Sequence, residues 1–179
     1  MTDADLDAIY GRWCGRSDLD AADLMAGLAF PWWIVGGWAI EAFAGVRRHH
    51  RDVDIAFHTA DLEAFRLHVQ NEWHVWANTS GSLLYLEPGQ HLPATCDQLW
   101  LRRNADESWE YDIVLHSGSM DEWVSRRDPD WSMKLDDATW IASNGIRYQN
   151  PEITLLFKAH HTKSHDQTEA PPEAWRHRL

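Results

Sequence analysis

The chain has 179 residues, 44% of them apolar and 12 of them Trp, enough for one packed domain and too few for two. Its 28 acidic against 16 basic residues give a formal charge of −12, which argues against nucleic acid or an anionic membrane as partner and favours a cationic small molecule. Cys14 and Cys96 lie far apart with no metal-type spacing, and MTDADLDAIYGRW lacks the basic-then-apolar pattern of a signal peptide, so a cytoplasmic protein is expected.

Hydrophobic spacing predicts helices over 4–15 and 18–29, the second with Leu19, Ala22, Leu24, Met25 and Leu28 on one face. The six aspartates from Asp3 to Asp23 read as a solvated surface. Residues 25–46 carry one charge, Glu41, over a length that could span a bilayer. Pro31 and Gly36-Gly37 interrupt that stretch, and Trp32 and Trp33 fall near its middle rather than at an interface. It therefore reads as a helix end, a buried strand over 32–35, and a helix over 38–44 with Ala39, Ile40 and Phe43 inward and Glu41 outward. Gly45 is placed to end that helix. Arg47-Arg48-His49-His50-Arg51 reads as a solvated loop, with Arg51 nearest to the strand that follows.

That strand carries Asp52 and Asp54, whose side chains project from one face and repel unless a divalent cation sits between them. Upstream, Gly36-Gly37 permits a sharp turn and a close approach to a ligand, and the helix starting there aims free N–H groups at an anion. Phosphate on one side and metal on the other suggest a metal-nucleotide site. Thr59 is expected to cap a helix over 60–70, and strands are expected at 73–77, 82–86, 98–102 and 109–115. In the last of these, WEYDIVL, Glu110 and Asp112 share a face. Residues 121–142 read as connecting structure and 145–149 as one more strand. Asn150-Pro151-Glu152 opens a further helix that carries Lys158. His161 and His165 have the i, i+4 spacing of helical zinc ligands but no acidic motif beside them.

An apolar residue, Gly36-Gly37, a helix and Asp52-Val53-Asp54-Ile55 together resemble the nucleotidyltransferase superfamily of DNA polymerase beta. VGGWAIEAFAG followed by RDVDIAF is similar to its small antibiotic-resistance members, which adenylylate aminoglycosides and lincosamides. The likeness runs from about residue 32 to residue 166. It implies an α/β (α+β) fold, a small mixed β-sheet flanked by helices, in a single domain over 1–179. Its core would span about 30–150 and a closing C-terminal helix about 151–165.

The implied reaction moves a nucleoside monophosphate, AMP first, from ATP or another nucleoside triphosphate to a hydroxyl of a small-molecule antibiotic and releases pyrophosphate. An aminoglycoside is favoured over a lincosamide because cations suit the charge. The resemblance implies two Mg²⁺ ions held by Asp52 and Asp54. Asp112 matches the family's third carboxylate, with Glu110 as its competitor. Gly36 and Gly37 would cradle phosphates, and Arg51 could hold phosphate oxygens. Lys158 matches the lysine that reaches the nucleotide from the closing helix. The end, DQTEAPPEAWRHRL, is polar and Pro-broken where relatives continue with helix, which raises the question of a homodimer closing the acceptor side. Two rivals stand beside this reading. One is a toxin-type nucleotidyltransferase acting on a protein or, against the charge, on tRNA. The other is a non-catalytic nucleotide-binding member, disfavoured by the retention of all three aspartates.

Overall fold

The structure, a computed structural model, describes residues 3–79 and 82–159. Its centre is the pairing of β2 (Asp54–His58) with β6 (Tyr111–His116), two parallel strands that run side by side from Asp54 opposite Asp112 to His58 opposite His116. Every residue of β6 is buried, as suits a parallel strand covered on both faces. Around this pair the sheet is antiparallel on one side, through β5 (Gln98–Arg102), β3 (His74–Thr79) and the edge strand β4 (Ser82–Tyr85). On the other side come β1 (Trp32–Ile34), β10 (Arg147–Gln149) and the second edge strand, β9 (Thr139–Ile141). β1 runs antiparallel to β2 and parallel to β10, so the sheet is mixed, and helices flank it as the sequence led us to expect.

Alternation along the central strands divides the core in two. Ile55, Phe57, Ile113 and Leu115 point one way, against Phe65 and Val69 of α4 (Leu62–Val69) and Ala21 and Met25 in and after α2 (Asp18–Leu24). Ala56 and Val114 point the other way, toward Trp33, Trp123, Leu135 and Ile153. Each of these large side chains contributes about 2 kcal/mol by leaving water. The acidic residues of β2 and β6 lie on this second face, at the end of the strands where the apolar packing stops.

Several elements depart from the sequence reading. The first helix, α1 (Asp3–Tyr10), stops before residue 15 because Gly11 takes φ +93° and the chain then runs beside Trp109, with Cys14 N–H donating to its carbonyl at 2.7 Å. α2 is held at its start by a capping box between Ser17 and Asp20 and ends short of residue 29, with Gly27 at φ +88° just beyond. Ala22, Leu24, Met25 and Leu28 pack on the core as expected, together with Ala21, whereas Leu19 is 60% exposed. α3 (Gly36–Ala44) begins two residues early, at the glycines themselves, and leaves Phe43 exposed against the edge of Trp140. Gly45, at φ +68°, ends it as expected. Thr59 does not cap a helix: its hydroxyl donates to the His116 carbonyl at 3.2 Å, and a 3-10 turn over Thr59–Asp61 precedes α4.

The segment 121–142 holds more than connections. It forms a two-stranded ribbon of β7 (Glu122–Val124) and β8 (Ser132–Lys134), a short α5 (Leu135–Ala138) and β9. Trp123, fully buried on the second face, anchors it. The closing helix α6 (Pro151–Ala159) is described to Ala159, while His161, His165 and the Pro-broken end lie outside the described residues. Among the described residues no helix is long and apolar enough to cross a membrane, and 25–46 resolves into the cap and turn after α2, then β1 and α3.

Candidate active site

Strand β1 delivers the chain to Val35, whose N–H donates to the Asp54 carbonyl at 3.0 Å, and Gly36 then turns into α3 at φ +66°. A Cβ at Gly36 would collide with Asp54 Oδ2, so glycine is required both by the backbone and by the carboxylate in front of it. Gly37 is similarly crowded: a Cβ there would lie 2.8 Å from His50 Nδ1 and 3.2 Å from Arg48 Nη2. The basic loop therefore folds back over the start of α3 through Arg48 and His50, while Arg47 and His49 stay exposed. His50 stacks on Trp38 at 4.4 Å and faces Glu41 Oε2 at 2.8 Å, and Arg48 donates to the Gly37 carbonyl at 3.3 Å. Glu41, expected to face outward, is instead the anchor of this loop.

The structure brings Asp52, Asp54 and Asp112 together, with one carboxylate oxygen of each within 4.8 Å of the others. Asp52 sits just before β2, where the Trp38 indole donates to its carbonyl at 3.0 Å. Asp54 opens β2, and Asp112 is its direct partner across the parallel pair. Asp112 is 5% exposed: Oδ2 accepts from Gln98 Nε2 at 2.6 Å, while Oδ1 is buried with no hydrogen-bond partner. All three acids are pushed above the usual carboxylate range. Burial is the main cause in each. For Asp54 the Asp52 charge adds to it and carries the group to about 7, against the pull of Lys158 and Arg126. For Asp112 both other aspartates add to burial. The Arg51, His50 and Lys158 charges restrain Asp52.

Three crowded carboxylates, one with an unsatisfied buried oxygen, are the donor set of a hard divalent cation such as Mg²⁺, and the residues present fit it. Glu110, the competing third acid, is elsewhere. It is buried at 5% exposure, paired with Arg16, whose Nε donates to Oε2 at 2.7 Å, with Arg103 at 3.8 Å.

A cleft of about 440 Å³ opens beside Asp54 and Gly36, and its far wall carries Thr154, Phe157 and Lys158 of α6 with Arg126 and Arg127 beyond β7. Lys158 therefore lines the same cleft as Asp54. Arg127 lies 4.6 Å over the Phe157 ring, and Arg126 pairs with Asp97 at 2.5 Å. Arg51 pairs with Asp7 of α1 at 2.5 Å. Gln98, Arg126 and Arg127 were not singled out from the sequence. Gln98 is detectable there only as the polar position preceding Leu99 at a strand start, and the two arginines fall in a segment read as connection.

The sequence family described as Aminoglycoside-2''-adenylyltransferase matches residues 19–79, a stretch that includes Gly36, Gly37, Asp52 and Asp54 but not Asp112. No curated protein matches the chain in sequence. Among solved structures, the fold is similar to that of a lincomycin-bound lincosamide antibiotic adenylyltransferase, LnuA. That structure is 15% identical with a TM-score of 0.56, over 84% of this chain and 89% of that one. ANT(2'')-Ia in complex with adenylyl-2''-tobramycin is 16% identical with a TM-score of 0.47, over 88% of this chain and 79% of the other.

Proposed function

We propose that this chain, which resembles the antibiotic nucleotidyltransferases in fold and over residues 19–79, is itself a nucleotidyltransferase that moves AMP from ATP to a hydroxyl of a cationic antibiotic. The observation that carries the proposal is the convergence of Asp52, Asp54 and Asp112 beside the Gly36 turn. In the reaction the acceptor oxygen forms a bond to the α-phosphorus, the bond to the bridging oxygen breaks, and pyrophosphate leaves.

Asp52 and Asp54 would hold two Mg²⁺ ions and Asp112 would complete the first site. When bound, these ions supply charge neutralisation on the triphosphate and acidify the attacking hydroxyl. Gly36 and Gly37 offer backbone N–H groups at the start of α3 to phosphate oxygens, with no side chain of their own in the way. Lys158, across the cleft, attracts the triphosphate, and Arg51 adds positive charge at the Asp52 end. Asp112 takes the proton of the acceptor hydroxyl. Burial and the neighbouring aspartates raise its carboxyl in the metal-free protein, and the bound cations would keep it ionised and able to accept the proton.

An aminoglycoside is the favoured acceptor because the formal charge of −12 attracts polycations, and a lincosamide is the second choice. Incubation with labelled ATP or GTP, Mg²⁺ and a panel of both antibiotic classes tests this directly. Pyrophosphate release with a nucleotide-sized mass gain on an aminoglycoside is expected. Modification of lincosamides alone would reverse the acceptor assignment, and nucleotide binding without turnover on either class would remove the antibiotic acceptor and favour the binding-module reading.

A further inference from the structure

Beyond the three aspartates, we infer that Asn78 and Gln98 form a directional hydrogen-bond relay that orients Asp112 for metal. Gln98 Nε2 donates to Asp112 Oδ2 at 2.6 Å, and Asn78 Nδ2 donates to Gln98 Oε1 at 2.9 Å. The two residues are direct partners in the β3–β5 pairing, so the backbone register sets their approach. The direction of the relay follows from chemistry. A carboxylate only accepts, so Gln98 must show it the amide nitrogen, and its oxygen is then left facing Asn78, which must donate.

Asp112 needs such a device more than the other two. Its Oδ1 is buried with no close hydrogen bond, so the contact from Gln98 to Oδ2, with the Trp100 side chain beside it, fixes the rotation of the carboxylate. With Oδ2 occupied by Gln98, Oδ1 is the oxygen left available to a cation. Neighbours of this kind that hold a ligand in place typically change metal affinity by about 10- to 100-fold when removed. Gln98 and Asn78 are thus positioning residues, acting through Asp112.

The inference rests on the metal reading of the triad, and the test separates the two. Mn²⁺ binding to the nucleotide-free protein, followed by electron paramagnetic resonance, needs no turnover. Gln98→Leu should weaken Mn²⁺ by roughly tenfold or more. Asn78→Asp is the sharper probe. A carboxylate at position 78 accepts only, so it competes with Asp112 for the Gln98 amide nitrogen, and whichever acid loses faces the amide oxygen. Mn²⁺ should weaken, by up to the loss in Gln98→Leu, although a new negative charge acting simply as a charge would tighten it. In the Gln98→Leu background the same change should cost nothing further. Should both variants melt at lower temperature yet bind Mn²⁺ like wild type, or should Asn78→Asp bind it more tightly, the relay is refuted. Asp54→Asn serves as reference: loss of Mn²⁺ there with retention in Gln98→Leu overturns the relay alone, whereas retention in Asp54→Asn overturns the metal site and the relay with it.

Discussion

Asp54→Asn should make the metal-free protein more stable at alkaline pH and leave it unable to respond to Mg²⁺. In the folded protein Asp54 remains protonated up to about 7, because burial and the Asp52 charge oppose its ionisation. The unfolded chain ionises the same group near pH 4. Between those values the unfolded state has lost its proton while the folded state keeps one, so wild-type stability falls as pH rises through this window and stays reduced above it. Three pH units at 1.36 kcal/mol each set an upper limit of about 4 kcal/mol. The carboxylate opens on the cleft, and solvent screening brings the realised figure to about 2 kcal/mol. Asparagine, isosteric and neutral, escapes this cost. Melting without divalent ions should show the variant higher by roughly 4–8 °C at pH 8 and level with wild type near pH 4. Adding millimolar Mg²⁺ with a non-hydrolysable nucleotide should raise wild type and not the variant. Equal melting at both pH values, or Mg²⁺ stabilisation retained by the variant, would refute the reasoning.

Asp112→Asn should reduce turnover by about a hundredfold or more and leave nucleotide affinity within about tenfold, since Asp52 and Asp54 persist. Glu110→Gln should behave oppositely in steady-state kinetics and urea unfolding, costing about 1–3 kcal/mol of stability through the weakened Arg16 pair while sparing turnover. Burial lowers His116 to about 4, so the folded state resists its protonation. Its contribution is complete above pH 6.5 and is lost as pH falls toward 4, about 3 kcal/mol in all. Because the Asp54 effect runs the other way over the same range, the difference between wild type and His116→Asn is the quantity to follow by urea unfolding. Gly36→Ala should lose about 1–3 kcal/mol in the same assay and bind Mn²⁺ poorly, as it strains φ +66° and drives a methyl group into Asp54.

The order of Gly36-Gly37, helix and Asp52 with Asp54 was legible because it rests on local pattern, an apolar run, a glycine turn and acids two apart, whereas the mixed sheet came through resemblance. Asp112 was legible only through resemblance. Choosing it over Glu110 needed the β2–β6 register and the Arg16 contact, both products of tertiary pairing. The helix limits failed where glycines at positive φ or distant partners intervened, as at Gly11 and at Thr59, whose hydroxyl is drawn to His116. The ribbon β7–β8 escaped notice because three-residue strands carry too little alternation to separate from loop.

The parallel pairing of β2 with β6 also orders events in time. β3, β4 and β5 all lie between them in the chain, so the two strands cannot meet as neighbours in a hairpin and must wait for a long loop to close. The acidic cluster is therefore absent from any nascent chain that has not yet released β6. Repulsion among its carboxylates opposes that closure, and a cation that joins them would lower the barrier to it. Divalent ions should then speed the closure of β2 on β6 as well as stabilise its product.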